Sequence, residues 1–248
     1  MLGMKLRRQS ALDIMDISCT SFENITTERV IDMKKEYSSV PPSMENMETY
    51  GFSWMDFVTA IPSPLFVVTT YKPDGTPNAC LQSWATFTGN KDGFFAILSA
   101  VYKQGHLYQT LKDTGVCVLN FPSQDIYDRC VATIRNNQWE ADEIAASGLT
   151  AEPATTVNAP RIQECFLALE CEYVWEKDLA EGSDHTLLCL KVRNICMDEA
   201  HTDEQTQGRY GEQGYLYNVH YPVNPETYAG KARDSIAVLQ KLRDMGEY

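Results

Sequence analysis

The 248-residue sequence predicts a mainly β chain with peripheral helices, its strands antiparallel and rolled into a barrel. Three observations carry this. Between Ile61 and Asn120, β-rich runs at Leu65–Thr70, Ala79–Thr88 and Phe94–Ala100 follow one another as a meander, with a Pro-Asp-Gly turn at 73–75 between the first two. Phe166–Trp175 alternates, with Leu167, Leu169, Cys171, Tyr173 and Trp175 on one face and Glu170 and Glu172 on the other, which predicts a strand with one wet face. With Val116–Phe121 and Leu187–Ile195, the chain holds roughly six strands interrupted by helices, a pattern that suits an antiparallel barrel.

The first fifty residues are the least legible. Ile25–Lys35 predicts a helix capped by Thr26 or Thr27, and Pro41-Pro42 then stops regular structure. This arm reads either as a partly ordered extension or as a segment that packs on a partner subunit or covers the active site. Ser53–Ala60 forms an amphipathic turn through Trp54, Phe57 and Val58 and leads into Pro62-Ser63-Pro64. In the first hairpin Gly75 supplies the positive φ of a tight turn. A short helix over Leu107–Asp113 ends at Gly115. Ser123 is placed to cap a helix reaching about Arg135, with Ile126, Cys130 and Ile134 at helical spacing, and Glu140–Ala146 forms another that stops at Gly148. Lys231–Met245 carries Ala232, Ile236, Leu239 and Leu242 on a stripe with Gly246 beyond, and predicts a C-terminal helix. The organisation is thus an extension over 1–50, one barrel domain over 51–230 and a helix over 231–248 packed on the same domain.

Composition excludes several functions. A formal charge of −13, a pI near 4.7 and 21 scattered Lys and Arg disfavour nucleic acid and anionic membrane surfaces as partners. Lys5, Arg7 and Arg8 open the chain, but Asp13 and Asp16 follow where a signal peptide has its apolar core, and no apolar run approaches the roughly twenty residues that span a bilayer. The expected compartment is the cytoplasm. Eight cysteines lie mostly within apolar strand patterns, without CxxC spacing, and the four histidines are far apart, so buried thiols and no metal site are expected. The sequence contains no Gly-rich dinucleotide fingerprint, Walker loop or GxSxG elbow.

Several strings recur in a fixed order. These are Pro62-Ser63-Pro64 before a strand, DGTPN at 74–78 before the next and QSWATF at 82–87. A loop with Lys103 and His106 then precedes a helix ending in Thr-Gly and a strand ending in Asn120; downstream lie ASGLTAEPATTVNAPRIQECFLALEC at 146–171 and EGSDHTLLCLKV at 181–192. Together they resemble the flavin reductase-like and flavoredoxin family over roughly residues 55–228. The resemblance implies a Greek-key-type split β-barrel that binds FMN, forms a homodimer with the flavin at the subunit interface, and takes hydride from NAD(P)H for a small acceptor or a redox partner protein. It admits two other functions: an electron carrier with tightly bound FMN and no nicotinamide activity, and a non-catalytic flavin-binding module.

A flavin offers a phosphate dianion, a ribityl chain and a flat ring with hydrogen-bonding edges. For the phosphate, the resemblance points to Lys103 and His106 at a helix N-terminus, although Leu107 stands where the family places a Thr; His106 or Tyr108 would compensate. The other reading is a solvated lysine and an incidental histidine. For the ring edge it points to Gln82, Ser83, Trp84, Ala85 and Thr86, and for the ribityl side to Ser99 and Ala100; Asn120 completes the cofactor-binding set. These positions read equally as barrel wall. The family's Gly-Asp-His triplet corresponds to Gly182-Ser183-Asp184-His185 with one residue inserted, which makes His185 and Asp184 the catalytic candidates, the carboxylate fixing the imidazole tautomer. A turn aspartate beside a surface histidine is the alternative. Arg209 and Tyr217 are candidates for ligand contact or for packing against the barrel end.

Overall fold

The computed structural model describes residues 34–42, 54–202, 214–222 and 234–238. The chain separates into units 1–39 and 40–248, and the elements below belong to the second. In order they are α1 (Trp54–Thr59), β1 (Ser63–Pro64), β2 (Phe66–Tyr71), β3 (Pro77–Gln82), β4 (Ala85–Asn90), β5 (Gly93–Tyr102), α2 (His106–Thr114), β6 (Val116–Phe121), α3 (Tyr127–Arg135) and α4 (Glu143–Ala146). They continue with β7 (Ala151–Pro153), β8 (Pro160–Ile162), β9 (Leu167–Asp178), β10 (His185–Met197), β11 (Leu216–Pro222) and β12 (Asp234–Val238).

Seven strands form an antiparallel sheet in the order β3-β2-β6-β9-β10-β5-β4. Strands β3 and β4 are consecutive in sequence yet occupy opposite edges, so the sheet curls into an open, split barrel whose seam the chain crosses at Ser83-Trp84. The uninterrupted run expected over Ala79–Thr88 is therefore two strands. Trp84 breaks it by taking a left-handed conformation, φ 53°, which ends one ladder before the next begins.

Burial explains why the central strands are apolar on both faces. Phe66 and Val68 of β2 join Leu98, Leu119, Leu169, Leu188 and Leu190 inside the barrel, while Val67 packs with Ala79, Ile126, Cys130, Ile144 and Ile162 beneath α3 and α4. Strand β2 is thus covered twice. The same layering corrects the reading of β9. Leu167, Leu169 and Cys171 do face the barrel, but Glu170, expected on a wet face, is wholly buried under the 154–162 segment.

Its carboxylate accepts from the Thr155 and Thr156 amides at 2.8 and 2.6 Å and from Thr156 Oγ1 at 2.6 Å. The Arg161 guanidinium lies 3.5 Å away. Burial alone would raise the Glu170 pKa; the donors on the carboxylate outweigh it and hold the group below its usual 4.5. A carboxylate whose folded pKa is depressed contributes stability above its unfolded value, and loses it as pH falls through the folded value. Glu170→Gln is therefore expected to be less stable than the parent at neutral pH. The gap should narrow as pH drops below about 4.5, which urea unfolding at a series of pH values measures.

Other expectations shift in detail. The α2 helix ends as predicted on Gly115, whose φ of 71° lets its N–H cap Leu111 O. Ser123 does not cap α3; its hydroxyl bonds Asp125 instead, and a 3-10 turn over Gln124–Ile126 precedes the helix. Ile134 is exposed and Thr133 takes the buried position, three residues after Cys130 on the same helix face. Helix α4 starts at Glu143 rather than Glu140, since Asp142 Oδ1 caps it by accepting from Ala145 N at 2.9 Å.

At the C-terminal end, residues 234–238 are a strand, not part of a helix, and pair with β11 through Leu216↔Val238 and Asn218↔Ile236. Branched Ile236 and Val238 suit an extended ladder. The rest of that predicted helix, most of the one expected over Ile25–Lys35, and Arg209 lie outside the described residues. Among the described residues no helix is long and apolar enough to cross a membrane.

Candidate functional site

Buried apolar side chains occupy the barrel interior. Along β5, Ala96 and Leu98 point inward and Ile97 between them points out; directly opposite Ile97 stands Thr86 of β4. A cleft of about 300 Å³ opens here, lined by Ser63, Trp84, Ala85, Thr86, Ile97, Ser99 and Leu187. That volume lies at the lower end for a small-molecule site.

The cleft is shaped by strained backbone. Two of the three non-glycine residues with positive φ among the described residues border it, Trp84 at 53° and Ala100 at 56°. Ser99 ties them together, because its amide and its hydroxyl both donate to Trp84 O, at 2.8 and 2.7 Å. Conformations of this kind cost about 1–3 kcal/mol each and persist where the surroundings enforce them. Here they route the chain across the seam and bring the Trp84 side chain to the cleft wall. Strand β1 supplies Ser63 and is held by β11 through the pair Ser63↔Asn218, so Tyr217 belongs to the strand beside the cleft.

His185 is the first residue of β10, opposite Tyr102, and its ring packs 5.2 Å from the tyrosine ring. Thr186 and Leu188 are buried, so His185 and Leu187 share the outer face, about 7 Å apart along the strand. The imidazole Nδ1 lies 2.7 Å from Asp184 Oδ1. That contact favours the Nδ1–H tautomer and leaves Nε2 as the basic nitrogen.

Of the residues read from sequence, Trp84, Ala85, Thr86 and Ser99 therefore meet in one cleft, Ala100 flanks it, and His185 with Asp184 sits on the same face. The others go elsewhere. Gln82 donates to Cys80 Sγ at 3.0 Å at the end of β3, and Ser83 is buried. Asn120 lies wholly within the fold: its amide nitrogen donates to Val67 O, Thr69 Oγ1 and Val118 O, and its oxygen accepts from Ile162 N. Its hydrogen-bonding groups face the interior, so the structure does not bring it to the cleft. Lys103 and His106 also diverge. Lys103 Nζ reaches Asp178 Oδ2 at 2.6 Å, whereas His106 Nδ1 reaches Glu143 Oε1 at 3.2 Å and its ring stands edge-on to Trp139. Sequence reasoning missed Ser63, Ile97 and Leu187; the outward position of Ile97 between Ala96 and Leu98 was the available signal.

The donor set matches one part of a flavin and not another. Trp84, Ile97 and Leu187 offer flat and apolar surface, and Ser63, Thr86 and Ser99 offer hydroxyls at its margin, which suits a planar ring with polar edges. The Lys103 and His106 nitrogens expected at the phosphate are already engaged by carboxylates.

A family profile described as flavin reductase like domain matches residues 58–221. Two curated relatives, from Methanothermobacter thermautotrophicus and Aquifex aeolicus, are each 28% identical over 137 and 145 residues; the matches cover 54% and 56% of this chain and 63% and 74% of theirs, and both are uncharacterized proteins. The chain thus spans less than two thirds of the Methanothermobacter relative. Among solved structures, nitrilotriacetate monooxygenase component B from Bacillus cereus superposes with a TM-score of 0.67 at 17% identity, covering 86% of this chain and 100% of that one. A split barrel domain protein from Shewanella frigidimarina gives 0.65 at 16% identity, with 83% and 96% covered. Flavoredoxin of Desulfovibrio vulgaris gives 0.60 at 18% identity, with 74% and 90% covered. At these identities the structural likeness shows the fold. The profile match spans well over half of the sequence, and by it the chain belongs to the flavin reductase-like domain family.

Proposed function

We propose that this protein is an FMN-binding oxidoreductase of flavin reductase type, taking hydride from NAD(P)H and passing electrons to a small acceptor or a redox partner protein. The observation that carries the proposal is the convergence, within the family's fold, of Trp84, Ala85, Thr86 and Ser99 on one outer cleft with His185 on the same sheet face. A bound flavin supplies a ring that accepts hydride and releases electrons, chemistry that side chains lack.

The chain's own residues do the rest. Trp84, Ile97 and Leu187 hold a flat ring and exclude water from it, while the Thr86 and Ser63 hydroxyls orient its polar edge. Ser99 keeps Trp84 in position. His185, with Nδ1 engaged by Asp184, presents Nε2 as the atom that accepts, donates or hydrogen-bonds a proton at the open side of the cleft. A homodimer would enclose this open face further.

The cleft assignment is tested by filling it. Leu187→Trp is expected to weaken FMN binding by more than about tenfold, read from quenching of flavin fluorescence, with far-UV circular dichroism unchanged. Unaltered affinity in a folded variant would place the flavin elsewhere.

A further inference from the structure

We infer that Lys103 is a positioning residue for the turn that carries His185, and not a ligand of the flavin phosphate. The inference rests on the flavin reading above. The turn between β9 and β10 runs over residues 179–184, and Lys103 holds it at three points. Its Nζ pairs with Asp178 Oδ2 at 2.6 Å, just before the turn, and donates to Ser183 O at 2.8 Å within it. Its amide donates to Asp184 O at 2.9 Å, at the residue preceding His185.

Main chain and side chain of one lysine thus grip the start and the end of a six-residue connection. Within the turn Ser183 N donates to Ala180 O at 3.2 Å and Ser183 Oγ accepts from His185 N at 3.2 Å. Among the described residues Lys103 is what ties the turn to β5. Gly182, at φ 75°, has no atom within contact distance of where a Cβ would stand, and Leu179 is largely exposed.

Charge argues the same way. The Asp178 carboxylate already occupies Lys103 Nζ, and Glu181 and Asp184 add two further acidic residues to the same turn. A phosphate dianion brought to Lys103 Nζ would lie beside the Asp178 carboxylate already bonded to it. His106 cannot share the load, since it turns toward Glu143 on α4. The hydrogen bond from Lys103 also holds the Asp178 carboxyl below its ordinary pKa. Loss of Lys103 would therefore release His185 from its place beside Tyr102 and leave recognition of the phosphate unchanged.

The test compares FMN with riboflavin, which lacks the phosphate, on the full chain and on Lys103→Met, Lys103→Arg and Asp178→Asn. Hydrogen exchange of residues 179–184 and the His185 imidazole resonances are followed in the flavin-free protein. Lys103→Met is expected to leave the ratio of FMN to riboflavin affinity within about twofold of the parent. It should also accelerate exchange across the turn and shift the His185 resonances. Asp178→Asn should reproduce both changes, and Lys103→Arg should largely preserve the parent's behaviour. A loss of FMN affinity about tenfold greater than that for riboflavin would overturn the inference. So would unchanged exchange in Lys103→Met. If the parent bound neither flavin, the flavin reading would fall, while the exchange and imidazole measurements would still decide whether Lys103 holds the turn.

Discussion

Replacing Glu143 with Leu is expected to destabilise the protein by about 3–5 kcal/mol. Glu143 and Lys72 are both fully buried, with Glu143 Oε1 3.2 Å from Lys72 Nζ. The carboxylate also accepts from Ala79 N at 2.7 Å and contacts His106. Turned so that its nitrogen faces Glu143, the Asn78 amide donates to both carboxylate oxygens and accepts from Thr70 Oγ1. Lys72 in turn donates to Ala141 O at 2.7 Å and lies 5.8 Å over the Trp139 ring. Removing the carboxylate strands a buried ammonium, whereas removing both charges does not. The double variant Lys72→Met with Glu143→Leu should therefore recover most of the loss, which a double-mutant cycle of urea unfolding measures. A double variant less stable than Glu143→Leu alone would refute the account of the pair.

The second large effect concerns turnover. On the proposed reading, in which the imidazole held by Asp184 serves the cleft, His185→Ala is expected to slow NAD(P)H oxidation by roughly 10²-fold or more while FMN remains bound. Anaerobic stopped-flow reduction separates that step from binding. An unaltered rate would return His185 to the role of a surface histidine beside a turn aspartate.

The parts of the fold that the sequence displayed were those decided locally. Val116–Phe121 is a strand because five apolar residues in a run of six follow a left-handed Gly115, and both signals lie within a few positions of each other. The break at Ser83-Trp84 was hidden, because a tryptophan with positive φ has no counterpart in composition; a glycine there would have betrayed the seam. Glu170 looked like a solvent-facing residue since the layer that buries it comes from residues 154–162, which carry no strong periodicity.

The site divides along the same line. Its wall was legible, as Trp84, Ala85, Thr86 and Ser99 lie on strands whose existence was evident. The roles of Lys103 and His106 were not, because each is decided by a carboxylate far away in sequence, Asp178 at a separation of 75 and Glu143 at 37. Asn120 lies one residue before the end of β6 rather than at it, and its amide faces the interior and ties β6 to β2 and β8.

The visible spectrum of the freshly purified protein, recorded before and after anaerobic addition of NADH and then NADPH, tests the central claim most directly. The account predicts a flavin band, present on purification or restored by added FMN, that bleaches with one of the two nucleotides. A band that persists with both would contradict reductase activity and favour an electron carrier, and a colourless protein unable to take up FMN would contradict the flavin site itself.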